Sequence, residues 1–133
     1  MAPRPRAGLS FLTSLHDNPT IIRITGELDL STSHDVEAAL LATPHPDNSL
    51  ILDLSGLRFC DCTGLGTLQH AADCRRDHGG RLALAAPTGL VARLLDAAAD
   101  CISIDVFATL DDAVAAHQSA PARARELAAS TGP

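Results

Sequence analysis

Leu50-Ile51-Leu52-Asp53-Leu54-Ser55-Gly56-Leu57-Arg58-Phe59-Cys60-Asp61-Cys62-Thr63-Gly64-Leu65-Gly66 is the stretch from which this chain is read. Leu50 to Leu54 is short and almost wholly apolar, the pattern of a strand covered on both faces. Leu65, Leu68, Gln69 and Ala72 fall at helical spacing. Asp61 to Gly66 is then a small polar turn that sets one hydroxyl, Thr63, at the mouth of a helix. A helix N-terminus carries unpaired N–H groups and the positive end of the macrodipole, so it accepts either a capping oxygen or a phosphate. Taken alone, Thr63 reads as an N-cap contributing about 1 kcal/mol.

Working outward, the pattern alternates strands and helices. Leu9 to Leu15 and the β-branched run Thr20 to Thr25 flank the turn residues Asn18 and Pro19, which predicts a hairpin whose second strand is closed by Gly26. A helix is expected to start around Ser31, Thr32 or Ser33, where Thr32 and Asp35 resemble a capping box and Val36, Ala39 and Leu40 follow in register. Pro44, His45 and Pro46 stop it. Ser55 to Thr63 reads as the loop after the third strand, with Ser55 and Gly56 as its turn. Gly79 and Gly80 end the second helix. Leu82 to Ala86 predicts a buried strand broken by Pro87. Val91, Leu94, Leu95 and Ala98 form the stripe of a third helix, and Ile102 to Val106 a last strand. Thr109 with Asp112, then Leu110, Ala113, Val114 and His117, predict a fourth helix.

Repeated strand, helix, strand units require right-handed crossovers and a parallel sheet. The expected fold is therefore α/β: a mixed, mostly parallel sheet of about five strands, with an antiparallel strand from the opening hairpin and about four helices. Loops leaving the carboxyl ends of parallel strands gather at one edge. Glu27 to Ser31, Ser55 to Thr63 and Pro87 to Thr88 are the ones sent there. Residues 1–8 are expected to be a disordered arm, 9–120 the domain, and 121–133 a flexible tail.

Composition bounds the function. The 133 residues are 46% apolar yet hold no Trp, no Tyr and three Phe, so the core must be aliphatic and no aromatic platform exists for stacking bases. The net charge is −6, and between Leu9 and Ala120 six Arg face fifteen Asp and Glu, a net of −9. An acidic body steers away from nucleic acid and anionic lipid. No stretch approaches a membrane span. Four cysteines without a C-x-x-C pair, and no convincing secretory signal, point to a reducing cytoplasm. Cys60 and Cys62 alone cannot complete a zinc site, so no metal is expected. Cys74 and Cys101 read as small core residues. The six histidines show no metal-ligand spacing and read as surface or cap residues. No nucleophile has an obvious base, which argues against an enzyme.

The string from Asp53 to Gly66 resembles the phosphorylation loop of STAS domains, specifically of bacterial anti-sigma-factor antagonists. Gly26, Glu27, Leu28 and Asp29 are similar to the family's acidic turn after the second strand. Leu82 to Leu95 follows its strand, proline and helix order. The resemblance runs from about Leu9 to Gln118 and implies a binding switch without catalysis or cofactor. It further implies that the unphosphorylated form binds an anti-sigma factor that is also a serine/threonine kinase, releasing the sigma factor. The kinase would then phosphorylate Thr63 and a phosphatase would reset it. Cys62 stands where the family commonly has Ser or Thr, which leaves Thr63 as the only hydroxyl of the turn. The partner surface implied comprises Asp29, Ser55, Asp61, Cys62, Thr63 and Gly64. Asp29 reads equally well as an Asx turn or helix cap. The same kind of domain also occurs as an accessory to anion transporters and lipid-transport complexes, which is the alternative reading, alongside a ligand-sensing module.

Overall fold

Strand β1 (Leu9–Ser14) runs antiparallel to β2 (Thr20–Leu28), and β3 (Ser49–Cys60), β4 (Arg81–Ala85) and β5 (Asp105–Phe107) follow in parallel. The order across the sheet is the order in the chain. The structure is a computed structural model describing residues 9–14, 19–42 and 49–117. The expected arm and tail, Asn18 of the hairpin turn, and the Pro44, His45, Pro46 stop lie outside those residues. Between the parallel strands come α1 (Ser33–Leu41), α2 (Cys62–Asp77) and α3 (Gly89–Ala97), and residues 110–117 form α4. The mixed sheet and its four helices are those expected from the sequence.

Because each parallel strand is added beside the previous one, right-handed crossovers put α1, α2 and α3 on one face. Ile22, Ile24, Leu28, Leu50, Leu52, Leu54, Leu84, Leu68 and Val91 meet there in the main core. α4 comes after the last strand and covers the other face, where Ala113 packs on Ile51 and Ala85, with Phe107 and Val114 beside them. β3 lies at the centre, so Leu50 to Leu54 are buried on both sides. That is why the run shows no alternation.

The strand limits differ from the expectation. β2 does not close at Gly26, which has φ 120° inside the strand, but continues to Leu28. Ser55 to Cys60 is not a loop, because it pairs with β2 as far as Leu28 opposite Cys60. Nine residues, Thr20 to Leu28, face eleven, Leu50 to Cys60, so β3 carries two extra residues at two register shifts. These are bulges, which bend and re-aim a strand. Gly56 sits at the first, where a Cβ would lie 2.7 Å from Thr25 Oγ1; close approach, not a turn, requires the glycine. β5 starts at Asp105, not Ile102, and β4 ends at Ala85. Ala86 takes φ 56° and its N–H donates to the Phe107 carbonyl.

Three side-chain readings are also corrected. Cys101 is exposed and Cys74 half-buried, while the core cysteine is Cys60. His117 is not a surface residue: it is buried, its Nδ1 is 3.0 Å from the Ala113 carbonyl, and its ring meets Phe107 edge-on at 5.9 Å. The Thr32 side chain does not cap α1. Its hydroxyl turns back to donate to the Glu27 carbonyl and accept from the Asp29 N–H.

Candidate functional site

The exits of β2 and β3 lie together because Leu28 is opposite Cys60 and the Asp61 N–H donates to the Leu28 carbonyl at 3.2 Å. Asp29 and Asp61 therefore leave neighbouring strands at the same rim. Asp29 is held by a tight turn in which its Oδ1 accepts from Ser31 N at 2.9 Å and Ser31 Oγ at 2.7 Å. The Ser31 hydroxyl, which outweighs the opposing effect of burial, holds the Asp29 carboxyl below its ordinary value. The Asx turn is thus the observed local role of Asp29, and its carboxylate stays partly exposed.

The cap of α2 is Asp61, not Thr63. Asp61 has extended backbone, and its Oδ1 accepts from the Gly64 N–H at 2.8 Å. This is an N-cap bond to the third helical residue. Thr63 stands one residue inside the helix and is exposed; its carbonyl accepts from Thr67 Oγ1, and its own hydroxyl has no partner among the described residues. Asp61 leaves that hydroxyl free.

Gly64 decides how closely the helix mouth approaches β2. A Cβ there would lie 2.6 Å from Leu28 Cγ, 2.8 Å from the Leu28 carbonyl oxygen and 3.1 Å from Cys60 Sγ. The residue is buried and contributes shape, not a contact group. Cys62 is exposed in the first turn of α2, beside Thr63. Cys60 is buried, and burial, with the Asp61 charge adding, pushes its thiol up to about 12. It is a packing residue and a poor nucleophile.

Ser55 is not brought to this rim. It lies at the first bulge of β3, its N–H donating to Asp53 Oδ1 at 3.0 Å. Five residues of strand at about 3.3 Å each leave it about 16 Å short of Cys60. The structure thus gathers Asp29, Asp61, Cys62, Thr63 and Gly64. Sequence reasoning missed the exposed apolar side chains of Leu30 after β2, Phe59 at the end of β3 and Leu90 at the start of α3. Their signal was a large apolar residue at each strand exit.

Fold and rim together define a five-stranded α/β domain whose polar groups collect where its parallel strands end. The chain belongs to the STAS domain family: the family model described as Mlab, STAS domain, matches residues 11–99. Among solved structures, an anti-sigma factor antagonist from Mycobacterium paratuberculosis is similar at 23% identity and TM-score 0.74, over 86% of this chain and 98% of that one. The anti-sigma factor antagonist SpoIIAA in its unphosphorylated form is similar at 21% identity and TM-score 0.62, over 79% and 93%. A sulfate transporter family protein from Wolinella succinogenes is similar at 18% identity and TM-score 0.61, over 74% and 83%. At such identities these likenesses speak for the fold. No curated protein matches the sequence significantly. No helix among the described residues is long and apolar enough to cross a membrane.

Proposed function

We propose that this protein is an anti-sigma-factor antagonist: a cytoplasmic, non-catalytic regulator of transcription whose bare form binds an anti-sigma factor with serine/threonine kinase activity. The observation that carries the reading is the free, exposed hydroxyl of Thr63 in the first turn of α2, on the rim where Asp29 and Asp61 leave neighbouring strands. A phosphate there adds about −1.5 to −2 charges. It lands on a rim that is already acidic. Placed in an interface, such a charge disrupts polar pairs, each loss costing about 2 to 5 kcal/mol, or roughly 30-fold to several thousand-fold in affinity. Exposed Leu30, which shares a cleft with Thr67 of α2, supplies apolar contact area on this rim, and a phosphatase resets the switch.

The test is incubation with an anti-sigma factor of the serine/threonine kinase type from the same organism and Mg-ATP, followed by mapping of the added phosphate. Label on Thr63, absent from Thr63→Ala, supports the proposal; label elsewhere refutes the site.

A second reading, an accessory domain of a transport complex, is favoured by the likeness to the Wolinella protein, of which the match covers 83%. Affinity capture separates the two: recovery of a permease or ATPase subunit without a sigma regulator selects the second.

A further inference from the structure

Strand β5 is the last of the sheet among the described residues, and its outer side pairs with no strand there. The N–H and C=O of one strand residue point to the same side, and the side alternates along the chain. The Phe107 carbonyl faces β4, since it accepts from the Ala86 N–H at 2.9 Å. The N–H and C=O of Val106 therefore point outward, to the open edge. Its side chain is exposed as well.

Beside this edge, α3 and the segment leading into β5 leave a cleft of about 250 Å³. Leu95, Ile102, Ile104 and Val106 wall it, and its acidic residues are Asp96 and Asp105. Leu95 and Ile104 belong to the main core, so the floor of the cleft is apolar. Asp96 has no ion pair among the described residues, and Asp105 has one, to Arg81 at 3.3 Å, in which both side chains stay well exposed. No basic residue lines the cleft. An unpaired backbone edge beside an apolar cleft is what an added strand uses: main-chain bonds hold it, and pockets take its alternate side chains. A second copy of this chain fits poorly. The protein carries a net −6, and pairing edge to edge would bring like carboxylates together.

We infer that the outer edge of β5 docks an extended segment of a partner protein, added as a sixth strand, with an apolar side chain in the cleft and Arg or Lys beside it. The Val106 N–H and C=O hold the main chain of that segment. Leu95 and Ile104 select the apolar residue, and Asp96 with Asp105 selects its cationic neighbours. β5 is three residues long, so the contact is short and reversible. It uses none of the residues of the Thr63 rim and is independent of the reading of that site.

Amide NMR of the full-length, nitrogen-15-labelled chain tests it, by titration with a capped peptide of sequence Arg-Val-Arg-Val-Leu-Val-Arg-Val-Arg. In an extended peptide this order puts the Leu and its flanking Arg on one face. Saturable shifts are expected at Leu95, Ile104 and Val106, and not at Asp61 or Thr63. Asp96→Asn is expected to weaken binding about two- to fivefold, and added salt to weaken it further. Asp96 is exposed, so this variant should melt like the wild type. N-methylation of every second peptide residue blocks one edge of the added strand. One alternate set is therefore expected to weaken binding at least about tenfold and the other to spare it. Absence of saturable shifts at about 1 mM peptide, shifts centred on the Thr63 rim, or equal binding by both methylated sets overturns the inference. So does dimerisation of the free chain through Val106, which would give the edge to a second copy.

Discussion

Gly64 stands against Leu28 so closely that even a methyl group would meet the Leu28 carbonyl oxygen at 2.8 Å. A backbone oxygen in a buried strand cannot move aside as a side-chain tip can. Gly64→Ala is therefore expected to cost about 1 to 3 kcal/mol by overpacking. Gly66, two residues on, meets nothing within 4 Å. Gly66→Ala is expected to add about 0.5 to 1 kcal/mol through helix propensity alone. Urea midpoints of the two variants should move in opposite directions.

Asp61 caps α2 through the Gly64 N–H. Asp61→Ala should lower stability by about 0.5 to 2 kcal/mol, and Asp61→Asn, which keeps an accepting oxygen, by less. Equilibrium unfolding in urea checks the order wild type, Asn, Ala.

Thr63 contributes no side-chain hydrogen bond to the described fold, so Thr63→Ala should change stability by less than about 0.5 kcal/mol. Under the proposed function the same variant loses all kinase-dependent phosphate. Intact-mass spectrometry beside a thermal melt reads both effects on one sample. Loss of stability without loss of label would return Thr63 to a structural role.

Burial lowers the His117 pKa below its ordinary 6.5, with Arg81 assisting and the Ala113 carbonyl and Asp105 opposing. Its Nε2 is buried with no hydrogen-bond partner among the described residues, so neither ring form is fully satisfied by them. As pH falls, the unfolded chain takes up this proton before the folded one does. The contribution of neutral His117 is therefore complete above about pH 6.5, declines by at most about 1.4 kcal/mol per pH unit below it, and levels off beneath the folded pKa. Unfolding free energies at pH 7.5, 6 and 5 should show this slope in the wild type. In His117→Gln the slope should be reduced.

Much of the fold was legible because the helical stripes and the apolar run Leu50 to Leu54 obey simple periods. The end of β3 was not, since Leu54, Leu57 and Cys60 all join the main core at a spacing of three. Two bulges produce that spacing, and a period of three does not look like a strand. At the rim, strand order alone brought Asp29 and Asp61 together. The cap was misread because Asp61 and Thr63 are both capping types, and only the extended backbone at Asp61 decides between them. His117 continued a stripe read as buried, yet its polarity argued for the surface. That Glu37 of α1 comes within 3.9 Å of His70 of α2 required knowing that the two helices pack together, which no local pattern supplies.

The side-by-side order of the strands has a consequence for synthesis. Each new strand docks on the edge of those already made, so the rim carrying Asp29, Asp61 and Thr63 has all its elements once α2 has left the ribosome, before β4 exists. The back of the sheet waits longest. Ile51 stays uncovered until α4 arrives, and a chain that stops short of residue 110 leaves the ribosome with Ile21, Ile51, Ala85 and Phe107 bare. For this protein α4 separates a covered sheet from an adhesive one.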